Sequence, residues 1–339
     1  MSQPADRPTV AILLTPEMRA QLIPPAAEAR LAAAARVVAP GAGELAPEAL
    51  ARLVAGAPAA ITGWGTPRFD AALLDANPDL RLVAHAAGSV RQLVPLDAIE
   101  SGRIEVTHAA IHIGEAVTEF VMAQIFDWLR QPGALAQGMR NREPWLALRS
   151  RLLGRLLGEQ AVGLVGAGYI GRMLTRQLQA FGARVAIHDP WLSAEEATRL
   201  GVAPVSLDAL LAESDIVSLH VPALPETRHM IGAAELARIR DGALLINTAR
   251  GAIVDETALI AELRKGRFTA AIDVYEKEPL ADDSPLRSLD NAILSPHAAG
   301  HTRDTYLRQG ANAVDEVLRF LSRAPLEHRV TAGMLATMA

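Results

Sequence analysis

A chain of 339 residues is longer than one hydrophobic core ordinarily serves, so we expect two domains. Half of the residues are hydrophobic and 21% are charged, as in a globular protein, and a net charge of −5 gives no reason to expect nucleic acid or an anionic membrane as a partner. No cysteine occurs, which excludes disulfides and zinc–thiolate sites, and we see neither a signal peptide nor an apolar run of membrane length, so we expect a cytoplasmic location.

The first hundred residues alternate short apolar runs with helical stretches. The apolar runs predict strands at 10–14, 36–38, 59–62, 82–84 and 104–106. Segments such as 47–53 and 69–75 predict helices between them. Strands that alternate with helices favour a parallel sheet, so we expect one compact α/β domain here.

Residues 116–129 predict a single, richly apolar helix that ends at Gln131-Pro132-Gly133. The segment 134–157 that follows is predicted to be a less regular arm. Because one apolar helix needs a partner face, we expect the helix and the arm to form a two-fold homodimer.

A second alternating series begins at residue 161. Its apolar runs predict strands at 161–165, 184–188, 216–221, 243–247, 269–273 and 292–295. The last predicted helix, 305–321, follows that sheet and is expected to pack back on the first domain.

The first strand of this series leads directly into Gly166-Ala167-Gly168-Tyr169-Ile170-Gly171. In this spacing the glycines permit a tight turn, close approach of the backbone to a pyrophosphate, and close helix–strand packing. The helix predicted at 172–180 would direct its free N–H groups and positive dipole end at the phosphates. The next strand ends at Asp189, where a carboxylate would bind an adenosine ribose and repel a 2′-phosphate, so we expect NAD rather than NADP.

Several stretches of the second half resemble the D-isomer-specific 2-hydroxyacid dehydrogenases, in the order that this family shows. They are residues 162–168 (VGLVGAG), 214–222 (SDIVSLHVP), 246–251 (INTARG), 271–279 (AIDVYEKEP) and 295–297 (SPH). The first domain resembles the family more loosely, through its βα rhythm and a turn of small residues at 86–90.

The resemblance implies three catalytic residues, and each suits its chemistry. Arg250 offers planar, permanently charged donors for the carboxylate and carbonyl oxygen of a 2-keto acid. His297 would be the acid in reduction and the base in alcohol oxidation. Glu278 would hold one ring nitrogen of His297; Glu276 is the competitor, and we favour Glu278 because the family's glutamate directly precedes the proline.

The resemblance also implies binding residues. From the first domain, the backbone amides of Gly88 and Ser89 would bind the substrate carboxylate. Asp273 would accept a hydrogen bond from the nicotinamide carboxamide. The full set of residues expected to bind NAD is Gly166, Gly168, Tyr169, Ile170, Gly171, Asp189, Pro222, Thr248 and Asp273.

The first domain departs from the family's common Gly-x-Gly-x-Asp turn, because Ser89 replaces the second glycine and Arg91 replaces the aspartate. Trp64, His85, Arg91 and His301 are candidates for the mouth of the cleft, which suggests a substrate with a second polar or anionic group. His108/His112 and His297/His301 have a spacing of four, but no carboxylate-bearing metal motif surrounds them, so no metal is expected.

Together these features predict an α/β protein of two doubly wound parallel-sheet domains with a cleft between them. Residues 1–109 and 301–339 would form a flavodoxin-like substrate domain, and 110–300 a Rossmann NAD-binding domain. The expected function is reversible hydride transfer between NAD(H) and a 2-hydroxy acid, on a small-molecule substrate that the sequence does not identify. The alternatives are an NAD(H)-sensing protein like the C-terminal-binding-protein corepressors, and a phosphite-type dehydrogenase on the same scaffold.

Overall fold

A computed structural model describes residues 7–43 and 45–338. Its strands are β1 (Thr9–Leu13), β2 (Arg36–Val38), β3 (Ala59–Thr62), β4 (Leu82–His85), β5 (Glu105–Thr107), β6 (Ala161–Val165), β7 (Arg184–His188), β8 (Ala203–Pro204), β9 (Ile216–Leu219), β10 (Leu244–Asn247), β11 (Thr269–Ile272) and β12 (Ala292–Leu294). Its α-helices are α1 (Pro16–Leu22), α2 (Pro25–Ala34), α3 (Pro47–Val54), α4 (Ala71–Ala76), α5 (Leu96–Glu100), α6 (Ala110–Arg130), α7 (Pro132–Arg140), α8 (Trp145–Arg151), α9 (Tyr169–Ala180), α10 (Ala194–Leu200), α11 (Leu207–Glu213), α12 (Ala233–Arg238), α13 (Glu256–Leu263), α14 (Arg303–Leu321) and α15 (Ala332–Thr337).

The chain folds into two compact units, with boundaries after Ile113 and after Gly300. We call the part before the first boundary and after the second the first unit, and residues 114–300 the second unit. In the first unit the parallel sheet has the order β2-β1-β3-β4-β5, which is the flavodoxin-like order. Its strands bear fully buried aliphatic side chains on both faces, among them Val10, Ile12, Leu82 and Val83, because helices cover both sides.

The second unit contains a seven-stranded parallel sheet of order β12-β11-β10-β9-β6-β7-β8. The chain begins this sheet at β6, builds outward through β7 and β8, and then returns to add β9 on the other side of β6. This reversal between β6 and β9 is a topological switch point, and in such sheets ligands bind beyond the carboxyl ends of the strands at that place. The fold therefore positions a site at the ends of β6, β9, β10 and β11.

Every strand predicted from the sequence is present, but the prediction for the arm was wrong. Residues 132–151 form two helices, α7 and α8, where an irregular segment was expected. Both are short, and a proline stands at the start of each (Pro132 in the first turn of α7, Pro144 at the cap of α8), a position that proline suits. The two-residue strand β8 was not predicted, because a pair this short has no periodicity to read.

The long helix α6 buries part of its apolar side chains, among them Val117, Val121, Ile125 and Leu129, within the protein. Phe120, Phe126 and Trp128 on the same helix remain partly exposed. Within the described ranges, no helix is long and apolar enough to cross a membrane.

Candidate active site

The glycine-rich loop follows β6 at the switch point. Gly166 has φ +107°, a conformation that side-chain-bearing residues rarely adopt, and a Cβ there would lie 2.6 Å from the carbonyl oxygen of His220. Gly168 caps helix α9 and nothing lies within 4 Å of where its Cβ would be. The loop thus leaves open space directly before a helix N-terminus, which is an arrangement suited to a phosphate group.

Asp189, at the end of β7, supports this loop. Its Oδ2 accepts a hydrogen bond of 2.6 Å from the amide of Ala167, and its Oδ1 accepts one of 2.8 Å from the amide of Trp191. The carboxylate is therefore fixed beside the loop by two amides. A carboxylate oxygen has two lone pairs, so both oxygens can still accept from a ribose hydroxyl.

Two buried polar side chains lie without partners at the same sheet edge. His220 follows β9 and Thr248 follows β10, and these strands pair in register just before both residues. Among the described residues, neither ring nitrogen of His220 has a hydrogen-bond partner, and the same is true of Oγ1 of Thr248. All three atoms are buried. Burial lowers the pKa of His220 to about 4, so its imidazole is neutral. Because unpaired buried polar groups are costly, these atoms and the open loop fit a polar ligand such as a dinucleotide.

The remaining cofactor candidates have different surroundings. Tyr169 is 52% exposed at the start of α9, and Ile170 is half-buried beside it. Pro222 lies just beyond β9, where its carbonyl accepts a hydrogen bond of 2.6 Å from the hydroxyl of Thr227. Tyr169 and Ile170 thus lie beside the glycine loop, and Pro222 lies beyond the end of β9.

Arg250 extends from the turn after β10. Asn247 fixes this turn, because its side-chain amide donates to the carbonyl of Arg250 at 3.1 Å while its side-chain oxygen accepts from Ala249. Burial lowers the pKa of Arg250, and the nearby Glu278 carboxylate opposes that shift. Arginine remains charged under all ordinary conditions, so the site contains a partly buried permanent cation.

His297 and Glu278 form a direct pair. Nδ1 of His297 lies 2.8 Å from Oε2 of Glu278, while Oε1 of Glu278 accepts a hydrogen bond of 3.1 Å from the amide of Tyr275. An imidazole whose Nδ1 donates to a carboxylate presents Nε2 for proton transfer. His297 has φ +53°, an uncommon backbone conformation for a residue other than glycine and one often found at functional sites.

Asp273 organises the loop that carries His297. The carboxylate is 1% exposed and accepts hydrogen bonds from Ser295 Oγ at 2.6 Å and from the amides of Ala298 and Ala299 at 2.8 and 2.9 Å. A nicotinamide contact for Asp273 stays a prediction, whereas its role as an acceptor that caps this turn is visible in the structure. Only the chain's path after β12 brings these amides to the end of β11.

Glu276, the competitor of Glu278, contacts a different imidazole. Its side chain pairs with Nε2 of His229, and its amide donates to Glu256 at 3.2 Å. A cavity of about 570 Å³ opens beside the other pair, with walls that include Glu278, His297, Tyr275 and Arg287. The His297–Glu278 pair is therefore accessible to a small molecule.

In the first unit, Gly88 and Ser89 follow β4 in a bend. Neither amide donates a hydrogen bond to another described residue, so both remain available to an anion. Two of the residues expected at the cleft mouth have structural roles instead. His85 is buried with Nδ1 2.9 Å from Thr62 Oγ1, and Arg91 donates to the carbonyl of Leu335 at 2.8 Å. The other two, Trp64 and His301, form an aromatic group with Tyr306, whose hydroxyl lies 2.5 Å from His301 Nδ1.

Buried histidines form a further cluster that the sequence did not predict. Burial first, and His108 second, lower the pKa of His85 to about 4. His108, which accepts the amide of Ala110 on Nδ1, has its pKa lowered to about 4 by burial and then by His328. Across residues 7–43 and 45–338 no group of histidines and carboxylates is arranged to hold a metal ion.

Comparison with known proteins gives a consistent result. A family model described as D-isomer specific 2-hydroxyacid dehydrogenase, NAD binding domain, matches residues 122–299. A glyoxylate reductase of Aeropyrum pernix is 39% identical over 261 residues, which covers 75% of this chain and 77% of the relative. An (S)-sulfolactate dehydrogenase of Chromohalobacter salexigens is 39% identical over 256 residues, covering 75% of this chain and 82% of the relative.

Solved structures agree over nearly the whole chain. A Thermus thermophilus protein aligns with a TM-score of 0.77 and 32% identity, covering 95% of this chain and 100% of that one. A phosphoglycerate oxidoreductase from Rhizobium etli aligns with a TM-score of 0.79 and 26% identity, covering 96% and 99%.

Proposed function

This chain belongs to the D-isomer-specific 2-hydroxyacid dehydrogenases, which are NAD-dependent oxidoreductases, and from that premise we propose which of its residues carry the reaction. The observation that supports the proposal best is the hydrogen-bonded pair of His297 and Glu278, on the same sheet edge as the partly buried cation Arg250. A general acid, its supporting carboxylate and a carboxylate-binding cation are the groups that reduction of a 2-keto acid needs.

Arg250 binds the substrate carboxylate and polarises the C2 carbonyl, since its planar guanidinium donates two parallel hydrogen bonds. We propose that the backbone amides of Gly88 and Ser89 bind a substrate carboxylate. In reduction, Nε2 of His297 donates a proton to the carbonyl oxygen while C2 accepts a hydride, and in oxidation the same nitrogen takes the hydroxyl proton. Glu278 orients the imidazole throughout by accepting from Nδ1.

NAD supplies or accepts the hydride. Gly166, Gly168 and Gly171, with Tyr169 and Ile170 at the start of α9, hold the pyrophosphate. Asp189 binds the adenosine ribose. The residues that hold the nicotinamide end are Pro222, Thr248 and Asp273.

We assign residues 1–109 and 301–339 to substrate binding and 110–300 to NAD binding. We also propose a homodimer, to which the arm contributes a surface, as expected from the sequence. The arm carries large apolar side chains that are more than half exposed, which on a globular protein marks an interaction surface. They are Trp145, Leu146, Leu153 and Leu156.

The test is NADH oxidation with a panel of 2-keto acids: glyoxylate, hydroxypyruvate, a phosphorylated acid and a dicarboxylic acid. We expect activity with at least one, and loss of about 10²-fold or more in kcat/KM for Arg250→Lys, because lysine cannot form the bidentate contact. Wild-type activity in that variant would remove Arg250 from substrate binding. Transcriptional partner binding without turnover would favour the corepressor-like alternative.

A further inference from the structure

Arg250 and Glu278 come from separate segments of the chain, and the structure shows how these segments are joined. Arg250 begins the turn 250–253 after β10, whereas Glu278 lies in the loop 273–279 after β11. Gly251 packs directly on the backbone of Tyr275, so closely that no side chain would fit there. The two segments are therefore in backbone contact, but a single glycine contact does not set their register along the chain.

His229 contacts both segments at once. Its amide donates to the carbonyl of Ala252, in the arginine turn, at 2.8 Å. Its Nε2 pairs with the Glu276 carboxylate, in the glutamate loop, two residues before Glu278. His229 has φ +51°, a left-handed conformation. Two residues later, Ile231 forms a β-bridge with Val254, which directly follows the arginine turn.

A second carboxylate holds Glu276 from the other side. Oε2 of Glu256, the first residue of α13, accepts the amide of Glu276 at 3.2 Å. Helix α13 begins just beyond the arginine turn, so this bond also joins the turn to the loop. Glu276 is thus held by its side chain and by its backbone, and both ties lead to the segment that carries Arg250.

We propose that His229 is a positioning residue, which fixes Glu278 and its partner His297 in register with Arg250. This inference rests on the proposed function, because it assumes that these three groups act on one substrate. It assigns to Glu276 a role distinct from that of Glu278: one carboxylate holds the reacting imidazole, and the other holds the loop.

The exposure of the pair argues against a role in global stability. His229 and Glu276 are 35% and 33% exposed, and ion pairs with that access to solvent contribute little to the free energy of unfolding. A small displacement of catalytic groups, in contrast, has a large effect on rate. The effect of removing the pair should therefore be on turnover rather than on the melting temperature.

The experiment compares His229→Ala, His229→Gln, Glu276→Ala and Glu276→Gln in the full chain. Glutamine at 229 keeps a donor that can reach Glu276, and glutamine at 276 keeps an acceptor for His229. We expect the alanine variants to lose about 10- to 100-fold in kcat with KM for NADH unchanged, and the glutamine variants to retain most activity. Arg238→Ala, which removes an exposed ion pair with Asp208 elsewhere in the second unit, is the matched control and should behave like wild type.

A readout that needs no turnover is hydrogen exchange of the peptide that spans 273–279. The amide of Tyr275 donates to Glu278 and that of Glu276 donates to Glu256, so release of the loop should accelerate exchange there in His229→Ala but not in Arg238→Ala. Wild-type kcat in His229→Ala, equal losses in the glutamine and alanine variants, or an equal loss in Arg238→Ala would overturn the proposal.

The two proposals fail in different ways. If wild type reduces a 2-keto acid while His229→Ala is unaffected, only the positioning role is lost. If wild type turns over nothing on the panel, the proposed function is lost, and exchange at 273–279 alone decides the positioning role: faster exchange supports it and unchanged exchange refutes it. Should His229→Ala not fold, the Glu276 pair of variants gives the same decision.

Discussion

Asp273 holds His297 by its backbone and closes the loop that follows. The carbonyl of Asp273 accepts the amide of His297 at 2.8 Å, and the Asp273 carboxylate binds the amides of Ala298 and Ala299. These bonds surround the left-handed conformation of His297 and compensate its cost, since strained residues persist only where neighbours over-determine them. Hydrogen bonds to Asp273 thus hold the backbone at His297 itself and at the two residues that follow it.

Replacement of this aspartate should therefore affect both stability and rate. In Asp273→Asn one acceptor oxygen becomes a donor that faces amide or hydroxyl hydrogens, and we expect a loss of about 1.5–3 kcal/mol in the free energy of unfolding together with a lower kcat. Urea unfolding and steady-state kinetics check this. Ser295→Ala removes only one bond to the same carboxylate and should cost less; an equal or larger cost would show that the amide contacts matter little.

Removal of the general acid should lower turnover without loss of cofactor. We expect His297→Ala to reduce kcat by about 10²–10⁴-fold while NADH still binds, because the glycine loop lies elsewhere on the sheet edge. Glu278→Gln keeps an acceptor for Nδ1 and should be impaired less. Fluorescence titration with NADH and single-turnover kinetics separate binding from chemistry, and wild-type-like turnover in His297→Ala would exclude it from the mechanism.

Cofactor choice should depend on Asp189. Asp189→Ser, combined with an arginine substituted nearby, removes the negative charge that would repel a 2′-phosphate, so the ratio of NADPH to NADH use should rise. Because the carboxylate also holds the amides of Ala167 and Trp191, we expect efficiency with NADH to fall as well. Kinetics with both cofactors give the answer, and an unchanged ratio would undo the assignment.

Stability should fall in mild acid through the buried imidazoles of the first unit. His85 and His108 have folded pKa values of about 4, below the value of about 6.5 in an unfolded chain, so protonation favours unfolding. Their contribution is therefore complete above about pH 6.5 and declines as the pH drops towards 4. Urea unfolding measured across this pH range should show that the free energy of unfolding depends less steeply on pH in His108→Asn than in wild type. This variant keeps an acceptor for the Ala110 amide. The same pH dependence in wild type and in His108→Asn would show that His108 does not cause the loss of stability in acid.

The exposed arm gives a prediction about assembly. If Trp145 and Leu146, at 66% and 64% exposed, cover a second copy of the chain, then their replacement by glutamate should produce monomers. Light scattering after size exclusion measures the mass, and circular dichroism verifies that the variant is folded. A wild-type monomer at working concentration would contradict the proposed dimer.

The sequence alone determined the two α/β halves, because strands and helices differ in their hydrophobic period and a parallel sheet follows from their alternation. It also identified the glycine loop and the order of the motifs at 250, 278 and 297, since turns, prolines and glycines are local features. It could not determine the helices of the arm or the partners of His85 and Arg91. These depend on which side chains meet from distant parts of the chain.

Only the tertiary structure distinguished the two glutamates by contact. Glu276 and Glu278 are two residues apart in a loop of mixed conformation, where no period predicts the direction of a side chain. The positions of His229 and His297, brought in from β9 and β12, decide which imidazole each carboxylate meets. Sequence thus specifies the chemical groups and the strands that carry them, whereas the packing of separate strand ends against each other specifies their pairing.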